Sequence, residues 1–160
     1  MKVILPGSYD PVTLGHLDII RRAAEIYDEV YAVVFVNPEK QYRFTPDQRV
    51  AMLMLATDHL PNVLVSYSTG LVIDYMRDHG IERIVKGYRN DADLRYEEKM
   101  AEWNLKMGGY ETELWQADPR LVDVSSTAVR REMDLGMIPS HILPPPVSEY
   151  IEELRKNGQI

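Results

Sequence analysis

The sequence contains no cysteine among its 160 residues. Disulfides, thiolate metal sites and thiol nucleophiles are therefore excluded. It has no apolar run approaching the roughly 20 residues needed to cross a bilayer. Its opening Met1-Lys2-Val3-Ile4-Leu5-Pro6 is too short, and too soon broken by proline, to read as a signal peptide. Basic excess is missing too. Eighteen Lys and Arg stand against 25 Asp and Glu, for a net charge of −7, which argues against a nucleic-acid partner. A small anionic ligand stays open, because a local cluster of cations can outweigh a negative average inside a cleft. Internal repeats, low-complexity tracts and long linkers are absent as well, so residues 1–160 read as a single domain. These absences together point to a soluble cytoplasmic protein.

With 45% hydrophobic residues, there is enough apolar matter for one core. It is distributed as alternating strands and helices. Lys2–Leu5 reads as a strand ending at Pro6-Gly7. Leu17, Ile20, Ala23, Ala24 and Tyr27 recur at helical spacing. Glu29–Val36 reads as a second strand. Thr45-Pro46-Asp47-Gln48 carries a capping box with proline in the first turn, and predicts a helix to about Asp58. Val63–Tyr67 is a third strand, and Leu71–His79 a short helix ended by Gly80. Ile81–Lys86 is a fourth strand. Asp93–Met107 is a long helix closed by Gly108-Gly109, and Glu111–Gln116 is a fifth strand. Two helices follow, near Ser126–Leu135 and Val147–Lys156, joined by the proline-rich Pro139–Pro146. Such alternation predicts an α/β protein with a doubly wound, parallel, five-stranded sheet. Ligands then bind beyond the carboxyl ends of the strands, so the loops after strands one, two, four and five should share a cleft.

The loop after the first strand runs Pro6-Gly7-Ser8-Tyr9-Asp10-Pro11-Val12-Thr13-Leu14-Gly15-His16. Two glycines, two prolines and an Asx-type residue suit any tight loop. Its placing of Ser8 and of Gly15-His16 at the mouth of a helix is more informative. Unpaired N–H groups there point outward, and the helix dipole favours an anion. Gly15 lets a ligand approach the backbone, and His16 can donate to a phosphate oxygen. The plainer reading of His16 is a local cap. No nucleophile–base pair is evident along the chain.

This loop resembles the signature of the T/H-x-G-H nucleotidyltransferases, and in the form Thr13-x-Gly15-His16 it is similar to the phosphopantetheine adenylyltransferase family. The likeness continues in Asn37-Pro38-Glu39-Lys40 with Phe44-Thr45, in Val85-Lys86-Gly87-Tyr88-Arg89-Asn90-Asp91-Ala92-Asp93-Leu94-Arg95-Tyr96-Glu97, and in Val124-Ser125-Ser126-Thr127. The resemblance implies a Rossmann-like nucleotidyltransferase fold. It also implies reversible transfer of the adenylyl group of ATP to 4′-phosphopantetheine, giving dephospho-coenzyme A and pyrophosphate. By the same resemblance, His16, Ser8 and Lys40 are catalytic. Ser8, Tyr9, His16, Gly87, Tyr88, Arg89, Glu97, Leu121, Val122, Asp123, Val124, Ser125, Ser126 and Thr127 bind ATP. Ser8, Lys40, Val72 and Lys86 bind the acceptor. Mg2+ is held mainly by ATP phosphates and water rather than by a protein cage. A homohexamer and feedback binding of coenzyme A are also implied.

Each residue has a plainer role beside this one. Lys40 could be a solvated loop charge. Arg89 could pair with Asp91 or Asp93. Glu97 could lie on an exposed helix face, and Ser125-Ser126 could be an N-cap only. His59, His79 and His141 read as structural, and Trp103, Trp115 and most methionines as core or interface. Within the resemblance, Ser8 stands where threonine is common, Tyr9 where phenylalanine is usual and Thr127 where serine is usual. Lys86 stands where arginine is frequent, keeping the charge but losing the bidentate fork. Two other readings remain. One is a nucleotidyltransferase acting on nicotinate mononucleotide or on a polyol phosphate. The other is a non-catalytic nucleotide-sensing module.

Overall fold

The computed structural model describes residues 1–160. Five parallel strands form one sheet: β1 (Lys2–Gly7), β2 (Glu29–Phe35), β3 (Val63–Ser68), β4 (Arg83–Tyr88) and β5 (Glu111–Gln116). Between and after them run α1 (Leu14–Ile26), α2 (Pro46–Thr57), α3 (Val72–His79), α4 (Asp91–Gly108), α5 (Ser126–Asp134) and α6 (Pro145–Lys156). The strand order is β3-β2-β1-β4-β5. The chain therefore winds outward from β1 to β3, crosses back over, and winds the other way through β4 and β5. This is the doubly wound sheet that the alternation predicts.

Side-chain alternation along the strands feeds two cores, as a sheet covered on both faces requires. Val3 and Leu5 of β1, Val30, Ala32 and Val34 of β2, and Val85 of β4 join a large cluster. Helices α1, α2, α5 and α6 complete it with Ile20, Met52, Leu53, Val129, Val147 and Ile151 among others. The intervening residues Ile4, Val33 and Ile84 face the other way, into a small cluster with Met76 of α3 and Ile81.

The punctuation in the sequence maps onto the helix ends. Thr45 and Gln48 form the expected capping box on α2, with Pro46 in its first turn. Gly80 and Gly109 close α3 and α4 in the left-handed conformation, which glycine adopts without a Cβ penalty. One expectation needs correction. Pro145 and Pro146 are not connector; they form the first turn of α6, where the missing N–H groups cost nothing. Trp103, read as core or interface, is 42% exposed within the chain, so it is not core, and α4 buries Asn104 alone among its own residues.

One detail of the sheet positions the site. β1 pairs with β2 over six residues, from Lys2 to Gly7. Its ladder with β4 has two pairs only, Val3 with Arg83 and Ile4 with Ile84. Beyond these pairs β1 and β4 part, at the point where the chain reverses its winding. A crevice between diverging loops at such a switch point is where α/β sheets bind ligands.

Candidate active site

A cleft of about 390 Å3 opens at that divergence. The β1–α1 loop makes its floor. Thr13 caps α1 and His16, three residues on, completes the box: the Thr13 side chain accepts from the His16 amide, and His16 Nδ1 accepts the Thr13 backbone N–H at 3.0 Å. A backbone amide can only donate, so Nδ1 holds its lone pair there and the ring proton belongs to Nε2. The cap therefore fixes the tautomer of a ring that also lines the cleft. Burial, helped by the Lys86 and Arg89 charges, pulls the His16 pKa down to about 4. At neutral pH the imidazole is an uncharged donor.

Tyr9 has φ of 47°, rare for a residue with a side chain. Its buried ring lies 5.0 Å from the His16 ring and its hydroxyl donates to the Leu5 carbonyl at 2.8 Å. A Cβ on Gly7 would come within 3.2 Å of that ring, so Gly7 leaves room for Tyr9. Burial raises the phenol pKa and keeps it neutral, so Tyr9 supplies the cleft with a wall rather than a charge. At Gly15 the close neighbour is the protein itself: a Cβ there would stand 3.3 Å from the Val124 carbonyl, which lets α1 and the turn before α5 converge.

Helix α5 presents its N-terminus to the same cleft. Ser125 caps it by accepting the Ala128 amide at 3.1 Å. The Ser126 hydroxyl donates to the Pro11 carbonyl at 2.7 Å, and Thr127 Oγ1 accepts from Arg130 at 3.2 Å. The cap at Ser125 is present as the plainer reading holds. Because the Ser126 proton is already committed, the open donors at this end are the first-turn amides and the hydroxyl hydrogens of Ser125 and Thr127. Two helix N-termini thus face one volume, a favourable field for phosphate.

The β4 side supplies cations. Lys86 donates to the Pro6 carbonyl at 3.0 Å, across the gap where the ladder stops, and pairs with Glu97 at 3.5 Å. Arg89 pairs with Asp93 at 3.1 Å, not with Asp91. It lines the cleft nonetheless, as do Glu97, Gly87 and Tyr88. A Cβ on Gly87 would fall 2.9 Å from Ile19 Cγ1, so only glycine lets β4 lie this close to α1.

Of the residues singled out in the sequence, Ser8, Tyr9, His16, Lys86, Gly87, Tyr88, Arg89, Glu97, Leu121, Val124, Ser125, Ser126 and Thr127 line this cleft. Val122 and Asp123 do not; both are exposed, in the turn before α5. Lys40 is exposed on the β2–α2 loop, its amine 5.6 Å from the Tyr42 ring. Val72 opens α3 and packs against the small core cluster. Neither belongs to the lining.

Two residues of the site were not singled out from the sequence, although Asp10 stands inside the loop motif that carries the resemblance. Asp10 is buried, and its two carboxylate oxygens accept the Arg43 and Phe44 amides at 2.9 Å each. Arg130 donates to the Asp10 carbonyl at 2.8 Å and lines the cleft. Its spacing of three from Thr127 put it on the same face of α5, the one clue available.

Taken together, the cleft offers neutral imidazole, hydroxyl, amide and cationic donors to an anion; the Thr13 hydroxyl, 3.1 Å from His16 Nδ1, is buried as the cap of α1. Comparison with known proteins agrees with that chemistry. The family described as Cytidylyltransferase-like matches residues 4–132. A protein of Corynebacterium diphtheriae named phosphopantetheine adenylyltransferase is 44% identical over 157 residues, covering 98% of this chain and 99% of its own.

Proposed function

The chain belongs to the cytidylyltransferase-like family, and from that premise we propose that it is a nucleotidyltransferase. It moves the adenylyl group of ATP to 4′-phosphopantetheine, in coenzyme A synthesis. The near full-length identity to the C. diphtheriae enzyme carries the choice of acceptor. The donor-lined cleft carries the choice of chemistry.

An oxygen of the acceptor phosphate bonds to the α-phosphorus of ATP, and the bond from that phosphorus to the pyrophosphate oxygen breaks. The attacking phosphate is an anion at neutral pH, so no proton need be removed. Rate enhancement comes from positioning and from stabilising charge on the transferring group. His16 donates from Nε2 to the α-phosphate without a charge of its own to desolvate. Ser8 holds the acceptor phosphate, with Lys86 beside it. Arg89 and the α5 N-terminus at Ser125, Ser126 and Thr127 hold the β- and γ-phosphates. Gly87, Tyr88, Leu121 and Val124 wall the nucleotide, Tyr9 backs His16, and Glu97 orients Lys86. Val122 and Asp123 hold the turn that shapes this wall. Lys40 reaches the phosphates by movement of its exposed loop, and Val72 meets the pantetheine arm outside the cleft.

No three His, Asp or Glu side chains cluster to hold a metal. The cleft carboxylates Asp93 and Glu97 already face cations. That donor set fits Mg2+ carried on triphosphate oxygens and water, with little help from the chain. When bound it neutralises the triphosphate. Coenzyme A, which contains the parts of the product, would occupy the same cleft as a feedback ligand. A homohexamer would cover the exposed Met100, Trp103, Leu105 and Met107 of α4. No helix is long and apolar enough to cross a membrane, and the cytoplasm is the compartment proposed.

The test is pyrophosphate release with ATP and Mg2+, comparing 4′-phosphopantetheine, nicotinate mononucleotide and glycerol 3-phosphate. Turnover with the first alone is expected; robust turnover of either other acceptor would overturn the acceptor assignment.

A further inference from the structure

Arg49 of α2 is fully buried and does not line the cleft, yet it touches both loops that flank it. Its Nη1 donates to the Ser8 carbonyl at 3.0 Å, immediately before the left-handed turn at Tyr9. Its Nε donates to the Phe44 carbonyl at 3.2 Å. Its guanidinium lies 3.9 Å from the centre of the Tyr42 ring, and that ring in turn stands 5.6 Å from the Lys40 amine. The Tyr42 hydroxyl accepts the Asn37 amide at the start of the same loop. The second terminal nitrogen, Nη2, is buried with no hydrogen-bond partner. A buried cation with an unpaired donor costs stability, and an apolar side chain of similar length would fill α2 without that cost. Something other than packing explains an arginine here.

We infer that Arg49 is a positioning residue, which registers the Lys40-bearing β2–α2 loop against the Ser8 turn. Its planar fork is well matched to this role, since it spans a carbonyl on each loop and offers a flat face to Tyr42. Its contacts are with Ser8, Tyr42 and Phe44 and not with β4 or the α5 N-terminus, so Arg89 and the end of the cleft assigned to the β- and γ-phosphates are outside its influence. The inference rests on the adenylyl-transfer reading, with Lys40 and Ser8 acting on the phosphates.

The test is a double-mutant cycle, read by steady-state kinetics on protein confirmed as folded by circular dichroism. Arg49→Met should lower kcat by roughly tenfold or more, as small misplacements of reacting groups do, while the ATP dissociation constant stays within about twofold of wild type. Arg49→Lys, which can reach one carbonyl but cannot span two, should recover part of the loss. In a Lys40→Ala background, Arg49→Met should cost less than about threefold more, because coupled residues are not additive. Should Arg49→Met fail to fold, Tyr42→Leu removes the platform and leaves the arginine in place; the same loss and the same non-additivity are expected of it. Arg49 or Tyr42 variants with wild-type kcat, or full multiplication of the losses in the Lys40→Ala background, would overturn the inference. A wild-type protein inactive toward every acceptor would sink the reaction assignment instead.

Discussion

His16 Nδ1 accepts the backbone N–H of Thr13 at 3.0 Å, so the bond that starts α1 also decides which imidazole nitrogen carries the proton. Nitrogen NMR of histidine-labelled protein should show a neutral Nε2–H ring between pH 5.5 and 8, protonating only as pH approaches about 4. Because the folded-state pKa is depressed below the ordinary ~6.5, the stability linked to this group is fully present above 6.5. It drains away as pH falls toward 4. Relative to His16→Gln, wild type should therefore lose stability across that window; a constant difference would contradict the assignment.

Lys86 bridges the gap between β1 and β4 through the Pro6 carbonyl and is steadied by Glu97. Lys86→Arg replaces a point charge by a fork that matches phosphate. The KM for 4′-phosphopantetheine should fall roughly fivefold, equivalent to about 1 kcal/mol, with ATP affinity little changed. Lys86→Met should raise the same KM. Isothermal titration with each substrate separately checks the split.

Asp10 accepts one backbone amide on each carboxylate oxygen and sits 3.8 Å from Arg130. Asp10→Asn turns one acceptor into a donor facing an N–H. Urea denaturation should show a loss of about 2–3 kcal/mol, and turnover should fall because the Arg43–Phe44 segment is released from the Ser8 loop.

Gly87→Ala would place a methyl group 2.9 Å from Ile19 Cγ1. Separation of β4 from α1 should destabilise the fold by about 1–3 kcal/mol, as overpacking does, and raise the KM for ATP. Thermal unfolding and initial rates measure the two effects.

The local part of this structure is readable from the chain. Apolar runs locate the five strands, the fourth two residues early at Ile81–Lys86 against the observed Arg83–Tyr88, and Thr45, Gly80 and Gly109 mark helix ends because capping is a contest among neighbours in sequence. The tertiary part is less so. No periodicity states that β4 lies beside β1, or that their ladder stops after two pairs. Asp10 meets Phe44 across 34 residues and Arg130 across 120, so neither contact leaves a local pattern. Lys40 shows the converse. Its motif is legible, but its exposed side chain lies outside the cleft lining, because a loop lysine is placed by solvent as much as by its neighbours. Trp103 reads as core or interface from its apolar face, and sequence alone could not choose; within the chain it is 42% exposed.

His16→Ala, assayed for pyrophosphate release and for ATP binding on the same preparation, tests the imidazole's part in the chemistry most directly. Turnover with 4′-phosphopantetheine should drop by about two to three orders of magnitude, the scale of a lost transition-state donor, while the ATP dissociation constant moves by less than about threefold. Near wild-type turnover, or a loss of ATP binding equal to the loss of rate, would contradict it.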